Sequence, residues 1–155
     1  MAKHKTKWKS AVPTLVPFDI VVIADSDGLG GIIWSQKIID PQYDDNGRVK
    51  CPAGVGYKIT FTLQDNTKPS LQVQFNAANP IYVKESENDP SPTRKGSKQF
   101  KPDSCTGNTL VVTNWNYGSK RVLRYQLNFV DPAGNGLPAY DPIVDNGGGG
   151  VQPLC

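Results

Sequence analysis

The chain has 155 residues, 37% of them hydrophobic, with 15 glycines, 13 prolines and a formal net charge of +3. That length suits one domain, able to bury roughly 68–70% of its unfolded surface, and the glycine and proline content demands many turns while staying below the level of about 25–30% that marks disorder. So small a charge, with acids and bases mixed along most of the chain, argues against nucleic-acid binding, and no window holds the roughly 18 apolar residues of a membrane-spanning helix.

The first ten residues alternate Lys3, Lys5, Lys7 and Lys9 with His4, Thr6, Trp8 and Ser10. In an extended chain the lysines share one face and Trp8 lies on the other. Such an arm reads as a solubilising segment or as one that binds an acidic surface, whether a neighbouring subunit, a polyanion or a lipid headgroup. Trp8 keeps the second reading in play, because an aromatic ring among lysines is costly to leave in water. Lys3, Lys5, Lys7, Trp8 and Lys9 are therefore the candidate interaction residues. No apolar h-region or small-residue cleavage site follows, so no signal peptide is expected; the protein is cytoplasmic, exported without a leader, or carries Met in place of one.

Phe18 to Ala24 is a nearly continuous, β-branched apolar run too short for a helix, and reads as a strand buried on both faces or lying centrally. Asp25-Ser26-Asp27-Gly28-Leu29-Gly30 follows, with Asp at the first and third positions and Gly at the sixth of a calcium loop. Leu29 stands where Asp or Asn is needed and Gln36 where a bidentate Glu belongs, so an EF-hand is excluded. What remains is a looser Ca²⁺ site using Asp25 and Asp27, weighed against a glycine-rich turn. A phosphate-loop reading of Gly28, Gly30 and Gly31 lacks the helix that must follow, since Ile32 to Ile39 is β-branched and strand-like.

In Tyr57 to Gln64 every odd position is apolar and every even one polar, the pattern of a strand with one face in a core. Leu71, Val73 and Phe75 repeat it beyond a stretch of turn formers, giving a hairpin or an inter-sheet corner. Pro80 to Val83 is a shorter strand, and Glu85 to Ser104 a polar, proline-containing insertion expected to be an exposed loop. Leu123, Tyr125, Leu127 and Phe129 alternate once more, and Thr109 to Asn114 is the expected hairpin partner across Trp115-Asn116-Tyr117-Gly118-Ser119. The tail from Asp145 through four glycines to Cys155 has almost nothing to bury and is expected to be flexible unless a partner orders it. The expected core is Ile59, Phe61, Leu63, Val73, Phe75, Leu123, Tyr125, Leu127 and Phe129.

About seven strands and no 3.6-residue apolar period specify an all-β fold, an Ig-like antiparallel β-sandwich. The expected division is a basic arm over 1–13, a sandwich over 14–146 and a glycine-rich tail over 147–155. Cys51, Cys105 and Cys155 are too widely spaced for a zinc knuckle; free thiols are the favoured reading, with a Cys51 to Cys105 bridge as the alternative. The only histidine is His4, in the arm, so no Ser-His-Asp or Cys-His constellation is available and an enzyme is not expected. The acidic residues sit in turn-like contexts such as Asp44-Asp45-Asn46-Gly47, which accounts for them without a paired-carboxylate site.

Three stretches carry a family resemblance: Gly54 to Asn66, Leu71 to Pro80, and Tyr140-Asp141-Pro142-Ile143-Val144-Asp145-Asn146. Together they resemble the DP-EP family of small bacterial proteins, over roughly Phe18 to Asn146. The arm, the Glu85 to Ser104 insertion and the Gly147 to Gly150 run depart from the family's pattern. The resemblance implies a β-sandwich and carries over no functional residues. The expected function is a non-enzymatic structural or interaction module, self-assembling into a homo-oligomer and needing no cofactor. The alternative is a ligand-binding module for carbohydrate or Ca²⁺, with Trp34, Trp115 and Tyr117 as stacking platforms.

Overall fold

A computed structural model describes residues 14–84 and 99–150. The chain passes repeatedly between two β-sheets. The first takes β1 (Leu15–Ser26) and β2 (Ile32–Ile38), and a single 3₁₀ turn, Pro41–Tyr43, then leads to β3 (Asp44–Asp45) and β4 (Arg48–Cys51) in the second. β5 (Gly56–Asn66) returns to the first sheet, and β6 (Gln74–Phe75) and β7 (Ile81–Lys84) lie in the second. β8 (Phe100–Cys105) and β9 (Thr109–Asn114) join the first, while β10 (Arg121–Val130), β11 (Gly136–Tyr140) and β12 (Ile143–Asn146) complete the second. The result is an all-β sandwich of a five-stranded and a seven-stranded sheet. Among the described residues no helix is long and apolar enough to cross a membrane.

The first sheet runs in the order β2-β1-β5-β9-β8. In the second, Arg124 of β10 pairs with both Lys84 of β7 and Ile143 of β12, and Phe129 with both Phe75 of β6 and Leu137 of β11. A strand has two edges, so β6 and β7 lie along one side of β10 and β11 and β12 along the other.

The sheets are mixed, which corrects the expectation of purely antiparallel pairing. β1 runs parallel to β5, and β12 parallel to β4. A parallel neighbour needs a crossover connection, supplied for β1 and β5 by the excursion through β3 and β4. Among the described residues twelve strands replace the expected seven or so, mainly because short pieces such as β3 and β6 have too few residues to show a period. Thr109 to Asn114 and Leu123 to Phe129 do not form a hairpin. β9 pairs with β5 and β8 in one sheet and β10 lies in the other, so Trp115 to Ser119 bridges the layers. Leu71 to Phe75 takes the inter-sheet corner rather than the hairpin. Of the expected loop from Glu85 to Ser104, residues 85–98 lie outside the described residues, while Phe100 to Ser104 belongs to β8.

All nine expected core residues are buried. They are joined by Phe18, Ile20, Val22 and Ala24 from β1, Leu110 and Val112 from β9, and Phe100. β1 buries one face only, since Pro17 and Asp19 are exposed and Val21 and Ile23 half-buried. Phe61 and Phe100 meet Tyr125 at ring-centroid distances of 5.8 and 5.4 Å, which ties the first sheet to the second. Cys51 and Cys105 are free thiols in different sheets.

Candidate functional site

The candidate residues fall in three places. Lys3, Lys5, Lys7, Trp8 and Lys9 lie outside the described residues. Asp25, Asp27 and Trp34 all belong to the β1–β2 hairpin. Trp115 and Tyr117 occupy the β9–β10 connection, where Asn116 (φ 51°) and Gly118 (φ 79°) take the left-handed conformations that make the turn.

At the hairpin tip Asp27 organises the backbone. Its Oδ1 accepts from the amides of Leu29 (2.6 Å) and Gly31 (2.9 Å), which holds its carboxyl below the ordinary range. Asp131 accepts from the amides of Ala133 and Asn135 in the same manner at the β10–β11 turn. Asp25 Oδ1 accepts from Asn66 Nδ2 at 3.3 Å. No set of three His, Cys, Asp or Glu able to hold a metal occurs among the described residues.

Trp34 is packed into the sandwich rather than offered as a platform. Its ring stacks on Phe129 at 4.1 Å and lies 6.1 Å from Tyr140, and its Nε1 donates to Pro138 O at 2.9 Å. Trp115 and Tyr117 are half-buried in a separate loop, with the Arg121 guanidinium 5.9 Å from the Tyr117 ring. The three aromatics are thus not assembled into one stacking surface.

Beneath that loop lies a buried polar cluster that the alternation pattern does not reveal. Asn146 Nδ2 donates to Gln99 Oε1 (2.5 Å) and Asn114 Oδ1 (2.9 Å), and Asn114 Nδ2 returns a bond to Asn146 Oδ1 (2.7 Å). Asn114 Nδ2 also reaches Cys51 Sγ at 3.3 Å. Asn116 Nδ2 donates to the carbonyls of Pro52 and Val55, and its Oδ1 accepts from the Gly148 amide. Asn114 and Asn146 belong to opposite sheets, so their reciprocal carboxamide pair joins the layers where apolar packing gives out.

The glycine run is bound to this cluster, which corrects the expectation of a flexible tail for Gly147 to Gly150. Gly147 N donates to Cys51 O, Gly149 N to Gly118 O and Gly150 N to Asn116 O, while Gly54 N donates to Gly148 O. A Cβ on Gly147 would run into the Ala53 backbone, and one on Gly148 into Gly118 and Ser119. Only glycine fits between these two loops.

Beside the cluster opens a cleft of about 450 Å³ whose lining includes Asp45, Lys50, Cys51, Lys120, Asp145 and Asn146. Arg48 holds Asp145 through one edge of its guanidinium, Nη2 to Oδ1 at 2.7 Å and Nε to Oδ2 at 2.6 Å. Burial pushes the Cys51 thiol up to about 12 despite the Asn114 bond, so it is neutral at ordinary pH. Iodoacetamide at pH 8 is expected to modify Cys105 in the native protein and Cys51 only after unfolding, as read by peptide mass spectrometry. The sign for stability follows: a buried neutral thiol contributes fully below its ordinary pKa near 9, and that contribution is lost as pH rises toward about 12.

The outer strand β2 is the other exposed feature. Asp27 N donates to Gly31 O and Ile39 N to Asp19 O, which fixes the odd-numbered residues of β2 as those bonded to β1. The amide and carbonyl groups of Ile32, Trp34, Gln36 and Ile38 therefore point away from β1, and none meets a described backbone partner. On the outward face Ile33 is 56% exposed; Ile39 just past the strand is 50% and Leu29 at the hairpin tip 91% exposed. These are three of the four exposed large hydrophobic residues among those described, the fourth being Val55. The periodicity of Ile32 to Ile39 locates the strand but not its place at a sheet margin, which depends on its neighbours. Compared with known proteins, the chain matches no family model and no curated protein is detectably similar in sequence.

Proposed function

We propose that this protein is a non-enzymatic interaction module that associates with further copies of itself. The observation that carries the reading is the concentration of exposed aliphatic side chains on and beside β2, an outer strand whose backbone groups are open to pairing. Charge supports it. Residues 14–84 and 99–150 carry ten Lys and Arg against eleven Asp, so the chain's positive balance resides in the four lysines of the arm. A basic arm and a slightly acidic body attract one another between copies. Light scattering at micromolar concentration is expected to give a mass above the 16.9 kDa of one chain. Removing residues 1–11 is expected to weaken association and reduce its salt dependence. A monomer under all these conditions overturns the proposal.

A second reading, a ligand-binding module for carbohydrate or Ca²⁺, draws support from the cleft, whose lysines, carboxylates and backbone groups suit hydroxyl-bearing ligands. A glycan array read with and without calcium tests it; no binding in either condition removes it.

A further inference from the structure

The other outer strands carry features that discourage pairing. β8 contains Lys101, Pro102 and Asp103 and a register shift between Pro102 and Ser104. β11 contains Pro138 and a register shift against β10. β3 and β6 have two residues each, and both residues of β3 are aspartates. β7 has four residues and ends on Lys84. Prolines, charges, bulges and shortness are the usual protections of a sheet margin. β2 has seven residues, no proline, no irregularity in its pairing, and Lys37 as its only charge.

Resting on the reading of the protein as self-associating, we infer that the partner of β2 is the β2 strand of a second copy, paired antiparallel about a twofold axis through Ser35. The register follows from which groups are free. Centring on Ser35 sets Trp34 opposite Gln36 of the second copy and Ile32 opposite Ile38, so all four residues with open backbone groups find hydrogen-bonded positions at once. A shift of either strand by two residues leaves part of that set unpaired. The two five-stranded sheets become one continuous sheet across the axis.

Side chains agree with that register. On the outward face Ile33 stands opposite Lys37 of the second copy, so the lysine stem covers the exposed isoleucine and the two lysines lie at opposite ends of the contact. The neighbour of Ile33 on β1 is Asp25. Lys37 of one copy is thus directed across Ile33 toward Asp25 of the other, two strand spacings of about 4.8 Å away. The same strand is a poor site for the N-terminal arm, because alternating lysines would meet Lys37 and bring like charges together. The half-buried strip of Ile32, Trp34 and Gln36, which ends at the β2 margin, continues into the same residues of the second copy.

Cysteine cross-linking tests both the strand and the register in the full-length chain, with Cys105→Ser and Cys155→Ser as background. Two residues facing each other outside the hydrogen-bonded pairs have Cα atoms about 4.5 Å apart, within disulfide range. Ser35→Cys is expected to form a covalent dimer under mild oxidation. Ile33→Cys and Lys37→Cys are each expected to remain uncrosslinked alone and to give a dimer when mixed. Ile33→Lys is expected to raise the dissociation constant at least about tenfold, since the twofold repeats the repulsion, while Ile33→Glu keeps or tightens the dimer. If light scattering shows association but Ser35→Cys does not cross-link and Ile33→Lys has no effect, the β2 contact is wrong and self-association stands. If every form is monomeric, both fail together.

Discussion

Phe61→Ala is expected to lower stability by about 3–5 kcal/mol, and Thr62→Ala by less than about 1 kcal/mol. Phe61 is fully buried, faces Tyr125 across the sandwich and pairs in its own sheet with Ile20 on one side and Leu110 on the other. Truncation leaves a cavity walled by both layers, with little freedom to collapse. Thr62 is exposed on the outer face, between Val21 and Thr109. Urea denaturation of the two variants measures the difference. Equal costs would place the strand's faces the other way round, because a one-residue slip exchanges them.

Asn146→Ala is expected to cost about 3 kcal/mol, at roughly 1 kcal/mol for each of the three hydrogen bonds its carboxamide makes to Gln99 and Asn114. The loss leaves Asn114 Nδ2 facing only the Cys51 sulfur, a weak acceptor. Because Asn114 and Asn146 sit in different sheets, the substitution removes a tie between layers rather than a local cap. Gln64→Ala on the exposed face of β5 is the comparison, expected within about 0.5 kcal/mol of the parent. A cost for Asn146→Ala no larger than for Gln64→Ala would show that the buried amides contribute nothing to holding the layers together.

What the sequence discloses is what alternation encodes. Tyr57 to Gln64 and Leu123 to Phe129 display their inward residues directly, so the strands, their faces and the nine core positions can all be read from them. Direction and sheet membership are not local properties. The parallel pairing of β1 with β5 depends on a crossover through the opposite layer, and nothing in Phe18 to Ala24 records it. Trp115 to Ser119 has turn chemistry, and the turn forms, but the same residues serve a hairpin or a passage between layers. Apolar patterning is silent about Asn114, Asn116, Gln99 and Asn146, whose polarity suggests a surface until the opposite sheet satisfies them. The four glycines read as a linker for the same reason. Composition gives their freedom when isolated, whereas the slot between Pro52 to Gly54 and Trp115 to Ser119 uses their lack of a side chain. Asp25, Asp27 and Trp34 lie on the hairpin that carries the proposed contact, but what supports that proposal is the hairpin's backbone edge and aliphatic exposure, not the carboxylates or the indole.

Amide hydrogen exchange followed by NMR at low and high protein concentration tests the central claim most directly, because it reads single residues of β2. The amides of Ile33, Ser35 and Lys37 bond to β1 and are expected to be protected at every concentration. Those of Ile32, Trp34, Gln36 and Ile38 point to the open margin, and are expected to exchange rapidly in dilute solution and become protected as concentration rises. Rapid exchange of all four at a concentration where light scattering shows the dimer would contradict pairing through β2.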